Sequence, residues 1–495
     1  EDYRSGTGSG GAVNVPYVKN ILDGIKENNA FPVNEELVET YKEWLKEHPF
    51  DNGGGGWAAE PWHQEEMEIT EEIACRAAEK SKKAVFLIGR TAGEDKDYED
   101  TEGSYLLTKR EKENLRVVTK YFNEVAVLLN VSNIIDMSWT KDAAYQDHIK
   151  AILYIWQGGM EGANAVADLL SGRVTPSGKL TDTIAEKLSD YPAADHFGSK
   201  TENIYAEDIY VGYRYFDTFN VTPNYCFGYG KGYTDFETEV RDVEADDKNV
   251  TVIASVKNIG DTFAGKEVVQ VYYSAPDGTI EKPYQELGGF GKSDLLSPGE
   301  SQTITISFPT RSMASYDEKK AAWVLEAGTY YIRVGNSSRT TKVAAALNLK
   351  ETVVTVQGKN LFPTDDAPQE LSKAGVTPYS YEGEAEEKAA AKQIDICSKC
   401  IKTETVVYSE TPEAFPAYEG EKLTAADVKS GKATLKDLVS QLTVEEMAAV
   451  CNGTADGLGQ EGFIGSSSDM APGAAGDTTS ILLEDRGIYN TILAD

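Results

Sequence analysis

At 495 residues the chain has room for about three or four domains. Its 81 acidic and 48 basic side chains leave a net charge of −33, which argues against nucleic acid or an anionic membrane as partner and favours a neutral or cationic ligand. No apolar run is long enough to cross a bilayer as a helix, and five cysteines in a chain of this length imply no disulfide framework.

In chain order, residues 65–82 read as an amphipathic helix, with Ile69, Ile73 and Ala77 at four-residue spacing. "AVFLIG" (84–89) reads as a buried strand, and the loop "GRTAGEDKD" (89–97) follows it with Glu94, Asp95 and Asp97. Thr108 then opens a helix, with Glu111 at capping-box spacing. "VAVLLN" (125–130) and "KAILYI" (150–155) are the next strands; a helix from about Ala163 stops at Gly172, and "GKLTDTI" (178–184) reads as a further strand. Apolar strands separated by helices predict a parallel, doubly wound sheet. Ligands of such sheets gather at the carboxyl ends of the strands, which here feed the loops 90–105, 131–142 and 156–161.

From Glu237 the texture changes. "VTVIASVKN", "KEVVQVYYSA", "QTITISF" and "GTYYIRVG" alternate β-rich runs with turn residues, which predicts an antiparallel sandwich of about 110 residues. Residues 358–430, with "EGEAEEKAAAK", read as a charged linker, and "TLKDLVSQLTVEEMAAVCNG" (434–453) reads as helical. "GIYNTILAD" reads as a short strand ending on Asp495.

Cys397-Ser-Lys-Cys400 is a lone CxxC. A zinc site needs a second pair of ligands and none lies nearby, so no metal and no cofactor is expected. Four scattered histidines speak against a histidine-based centre. A nucleotide-binding reading needs a glycine-rich loop opening directly into a helix. "GRTAGEDKD" lacks that pattern, and its carboxylates repel phosphate.

Longer motifs carry a resemblance. "WQGGMEGANAVADLLSGRVTPSGKLTDTI", "NIYAEDIYVGYRYFD" with "PNYCFGYGKGYTDFE", and "VKNIGDTFAGKEVVQVYYSAP" with "PYQELGGFGKSDLLSPGESQTITISF" resemble the α/β and fibronectin type III-like segments of glycoside hydrolase family 3. "TLKDLVSQLTVEEMAAV" and "ILAD" resemble the opening of its catalytic (β/α)8 barrel. The resemblance implies a multidomain chain: an α/β sandwich with a mainly parallel sheet (1–236), an all-β fibronectin type III-like sandwich (237–357), a linker (358–430) and the first segment of a truncated barrel (431–495). The barrel comes last, as in β-glucosidases of inverted domain order.

The implied function is part of a retaining β-glycosidase, most readily a β-glucosidase releasing terminal β-D-glucosyl residues. Its partners would be β-linked glucosides or oligosaccharides, with a homo-oligomer left open. Retaining chemistry needs two carboxyl groups about 5–5.5 Å apart. The family loop of the form "SGEGYD" matches "AGEDKD" and puts the acid/base on Glu94, while the nucleophile belongs to barrel residues that this chain lacks, so the chain alone is expected to be inactive. Asp95 and Asp97 would raise the pKa of Glu94 as like charges do. Glu102, Glu161 and Glu207 are weaker candidates. Asp495 matches the sugar-binding aspartate that ends the first barrel strand. The aromatic run 210–216 is read as packing before sugar wall. A noncatalytic carbohydrate-binding or scaffold module is the alternative, and low cysteine content with no secretory signal near Glu1 leads to the expectation of a cytoplasmic protein.

Overall fold

The computed structural model describes residues 17–54, 59–91, 97–363, 369–408, 418, 420–451, 476–477, 481–489 and 491–493. The chain divides into two compact units. The first comprises Glu1–Asn133, Ala143–Asp168 and Tyr408–Asp495, and the second Ile134–Asp142 and Leu169–Val407.

The first unit starts with helices α1 (Ile21–Asn28) and α2 (Glu35–Leu45), each capped by an asparagine side chain. Helix α3 (Glu71–Lys80) is capped by Thr70 and buries Ala74, Ala77 and Ala78. It is shorter than the predicted span, because residues 65–69 approach it as extended chain. Asn114 clamps that approach, accepting from Ile69 N at 2.9 Å and donating to Met67 O at 2.8 Å. Strand β1 (Lys83–Gly89), helix α4 (Lys109–Tyr121), strand β2 (Glu124–Asn130), strand β3 (Ile149–Tyr154) and helix α5 (Gly162–Leu170) follow.

The three strands pair in parallel in the order β1-β2-β3. Central β2 buries Val125, Val127, Leu128 and Leu129 completely, as its unbroken apolar run requires. The order does not reverse among the described strands, so the doubly wound expectation is corrected: no topological switch point marks a ligand cleft there. Later in the unit lie α8 (Ala425–Lys429), α9 (Leu435–Ser440), α10 (Val444–Cys451) and α11 (Ile481–Arg486), while α6 (Tyr213–Thr218) and α7 (Glu384–Ala390), between α5 and α8 in the chain, belong to the second unit. The single helix expected over 434–453 is two, because Thr443 starts a new one by accepting from Glu446 N at 3.1 Å. The two-residue strand at Ile492–Leu493 pairs antiparallel with Gly476–Asp477. No parallel barrel strand is found among the described residues of this region.

In the second unit, residues 178–184 form no strand. Their pairing is a single bridge between Ile184 and Tyr225, supported by Leu180 N donating to Tyr229 O at 2.8 Å. Helix α6 (Tyr213–Thr218) precedes strands β4 (Phe236–Ala245), β5 (Asn249–Asn258), β6 (Val268–Ser274), β7 (Glu286–Lys292), β8 (Ser301–Pro309), β9 (Ser315–Asp317), β10 (Ala322–Leu325), β11 (Gly328–Gly335), β12 (Lys342–Leu349) and β13 (Val353–Gln357). They are followed by helix α7 (Glu384–Ala390), β14 (Lys392–Ile396) and β15 (Glu404–Thr405).

The sheets run β4-β5-β8, β14-β12-β11-β6-β7 and β15-β13-β10-β9. One apolar core, including Val252, Val256, Val269, Val271, Ile332 and Leu347, lies inside them. The four predicted β-rich runs are β5, β6, β8 and β11, and the alternating burial of β5 and β8 follows their period of two.

Part of the stretch read as a linker builds into this sandwich. Strand β14 adds to β12 and β15 to β13, both in parallel, so the sheets are mixed rather than antiparallel throughout. Glu384 of α7 reaches buried Arg333 at 2.5 Å and accepts from Tyr284 at 2.9 Å. These partners sit 51 and 100 residues away in sequence, which is why composition alone could not place the segment.

Candidate active site

The carboxyl ends of β1, β2 and β3 are tied into one edge. Arg90 N donates to Asn130 O at 3.1 Å, and Ile155 N donates to Leu129 O at 3.0 Å. Asn130 Nδ2 donates to Trp156 O at 2.5 Å. Trp156, just past β3, has φ +52°, a left-handed conformation that costs a large side chain about 1–3 kcal/mol and tends to persist at functional sites.

Immediately after β1, the Arg90 side chain is wholly buried. It forks onto Glu111, with Nη1–Oε1 at 2.6 Å and Nη2–Oε2 at 3.0 Å, and donates from Nε to Ser104 O at 2.9 Å and from Nη2 to Leu106 O at 3.2 Å. Glu111 also completes the predicted capping box of α4, accepting from Thr108 N at 2.7 Å while Thr108 Oγ1 accepts from Glu111 N. One carboxylate therefore fixes the helix start, the arginine and the return of the loop.

Thr91 donates from N to Trp62 O at 2.9 Å and from Oγ1 to Pro61 O at 2.6 Å. On the far side of the loop, the Tyr98 ring meets Trp62 edge-on at 5.4 Å and its hydroxyl lies 3.3 Å from Ser132 Oγ. Burial raises the Tyr98 hydroxyl above its ordinary pKa. Both flanks of the acidic loop are thus anchored. Glu94 and Asp95 lie outside the described residues, as does Asp495, and Asp97 is exposed.

The weaker candidates are dispersed. Glu102 is exposed, accepts from Lys109 N at 3.1 Å and pairs with Lys112 at 3.6 Å, beside the start of α4. Glu161 precedes α5, and hydrogen bonds from Tyr17 and Asn164 hold its carboxyl below the ordinary range, unsuited to a general acid. Glu207, in the second unit, is half-buried with Oε2 lacking a hydrogen-bond partner among the described residues. The aromatic run 210–216 packs inside that unit: Phe216 is fully buried, Tyr213 stacks on Phe227 at 4.8 Å, and Tyr210 donates to Glu281 at 2.6 Å.

Gly103 has φ +83°, and a Cβ there would meet His63 Nδ1 at 2.0 Å. Gly103→Ala is expected to destabilise the first unit by about 1–3 kcal/mol, from backbone strain and displacement of the ring. A urea midpoint equal to that of the parent would remove this account.

Sequence reading did not single out Glu66. It lines a cavity of ≈ 350 Å3 with Trp44, His63, Thr108 and Arg110. Burial, and secondarily the Glu111 carboxylate, push its pKa up to about 7. A folded-state value above the unfolded one means that the folded protein holds the extra proton. This stabilisation is full below about 4.5 and is lost as pH rises through about 7. Glu66→Gln should therefore flatten the pH–stability curve and gain up to roughly 3 kcal/mol over the parent above that range. Parallel curves for parent and variant would contradict the assignment. Among the described residues, no group of three or more His, Cys, Asp or Glu is placed to hold a metal ion.

Residues 1–213 match the glycosyl hydrolase family 3 C-terminal domain, and residues 267–338 match the fibronectin type III-like domain. The first match makes residues 1–213 a glycosyl hydrolase family 3 C-terminal domain. The sheet edge and the loop described above lie within the matched residues.

The chain is 42% identical over 463 residues to a β-glucosidase of Ruminococcus albus, covering 91% of this chain and 46% of the relative. It is 34% identical over 511 residues to β-glucosidase A of Butyrivibrio fibrisolvens, covering 91% and 60%. The structure of a β-glucosidase from Paenibacillus barengoltzii superposes with TM-score 0.83 at 44% identity, covering 100% of this chain and 53% of that one. β-Glucosidase 3B of Thermotoga neapolitana in complex with α-D-glucose gives TM-score 0.63 at 36% identity, over 71% and 49%. The chain spans about half the length of the curated relatives it matches.

Proposed function

We propose that this chain is part of a retaining β-glycosidase acting on terminal β-D-glucosyl residues, and that it supplies the acid/base carboxyl from Glu94. The observation that carries the reading is the anchored loop after β1: Arg90 and Thr91 on one side and Tyr98 on the other are held by named partners, which suits a loop that must present a group reproducibly. The β-glucosidase names of the relatives at 42% and 34% identity support the substrate class.

In this reading, residues 1–236 are the family's α/β domain, 237–357 the fibronectin-like domain and 431–495 the start of the barrel, with Asp495 binding sugar hydroxyls. The nucleophilic carboxylate comes from barrel residues outside this chain. Glu94 protonates the leaving oxygen and then, as carboxylate, activates water.

The test is hydrolysis of 4-nitrophenyl β-glucoside by this chain alone and mixed with a separately expressed barrel segment. No turnover alone and turnover on mixing is the expected result. Turnover by the pure chain that survives Glu94→Gln would overturn it.

A further inference from the structure

Cys397-Ser-Lys-Cys400 takes no part in the chemistry described above. In the structure the two sulfurs are bonded to each other, with Cα atoms 5.4 Å apart, inside the usual range for a disulfide. Both cysteines are exposed. They bracket the turn between β14, which is paired with β12, and β15, which is paired with β13. Ile396 just before the pair is buried in the sandwich core, and Ile401 just after it packs against that core. Thr403 Oγ1 donates to Val354 O at 2.7 Å, and Val406 N donates to Gln357 O at 2.9 Å.

The fold therefore fixes the backbone on both sides of the turn. The bond spans a sequence separation of only 3, so it constrains the unfolded chain much less than a long-range cross-link does. An exposed disulfide that the fold does not depend on is the exchangeable kind.

We propose that Cys397 and Cys400 form a reversible thiol–disulfide exchange site whose partner is a low-molecular-weight thiol of the glutathione type. In the oxidising direction, one cysteine thiolate attacks oxidised glutathione, forming a mixed disulfide and releasing one glutathione thiolate. The second cysteine thiolate attacks the sulfur of the first, closing the Cys397–Cys400 bond and releasing the second glutathione thiolate. Two electrons pass from the cysteine pair to the glutathione disulfide, and the two thiol protons pass through solvent to the released thiolates. Reduction runs the same steps backwards. The free cysteines Cys75 and Cys451 are exposed and serve as internal references.

The experiment equilibrates the whole chain in buffers of varied reduced-to-oxidised glutathione ratio, quenches with acid, alkylates and maps the labelled cysteines by mass spectrometry. Labelling of Cys397 and Cys400 should rise together from none to complete as reduced glutathione increases, with the far-UV spectrum unchanged. Cys397→Ser and Cys400→Ser should each leave a partner cysteine that accumulates a glutathione adduct. A pair that stays bonded in excess reduced glutathione, or stays as thiols in excess oxidised glutathione, overturns the proposal. So does a reduction that abolishes the β spectrum.

Discussion

On the proposed acid/base role, Glu94→Ala is expected to lower kcat of the assembled enzyme on β-glucosides by about 10²–10⁴-fold, the usual contribution of a positioned general acid. The loss should depend on the leaving group. A nitrophenolate departs without full protonation, so bond cleavage suffers less there than with an alkyl glucoside, whose alkoxide needs the proton. Hydrolysis of the glycosyl-enzyme should become limiting, because the base that activates water is gone. Azide, a nucleophile needing no such base, should then restore turnover and yield a β-glucosyl azide of retained configuration. The acid limb and the alkaline limb of the pH–rate profile should separate, since only the alkaline limb reports loss of the proton from Glu94. An equal loss on activated and unactivated glucosides, with no rescue by azide, would reduce Glu94 to a structural residue of its loop.

Arg90→Ala carries the largest expected effect on stability. Its guanidinium and the Glu111 carboxylate are almost completely buried, and removing one partner of such a pair leaves an unpaired buried charge at about 3–5 kcal/mol. The residue also holds Ser104 O and Leu106 O, so the loop 97–108 should lose its return path, and β-glucosidase activity of the assembled enzyme should fall with stability. Glu111→Ala should cost a similar amount, because the α4 capping box is lost with the ion pair. The double variant Arg90→Met/Glu111→Leu should recover most of the stability, since the desolvation cost of both charges disappears with them. Urea denaturation of the parent, Arg90→Met, Glu111→Leu and the double variant Arg90→Met/Glu111→Leu, treated as a double-mutant cycle, measures the coupling. Additive losses would mean that the pair does not act as a unit.

The elements governed by local chemistry were legible in the amino-acid order. The apolar runs at 84–89, 125–130 and 150–155 became β1, β2 and β3, and Thr108 with Glu111 marked the start of α4. The alternating runs after Glu237 became sandwich strands. In each case the signal is a periodicity or a cap contained within a few residues. The loop after β1 was legible as a candidate because three carboxylates at the end of an apolar run are conspicuous.

Arg90 drew no notice, although it organises that loop, because its value depends on a carboxylate 21 residues away. Trp156 was placed on a loop leaving the sheet, but its left-handed backbone is not written in the neighbouring residues. Glu66 looks like any surface glutamate until packing removes water from it.

By itself the sequence determined the acidic balance, the apolar runs of β1, β2 and β3, the cap of α4 and four β-rich runs of the sandwich, and it offered Glu94 as the candidate acid/base residue. Tertiary structure alone decided three things. Residues 384–405 complete the sandwich rather than link domains; Arg90 and Glu111 pin the candidate loop; and Cys397 and Cys400 are bonded across an exposed turn. The physical reason is range: periodicity and caps act over one or two turns of chain, while edge pairing, buried charge and desolvation are set by partners that only folding brings into contact.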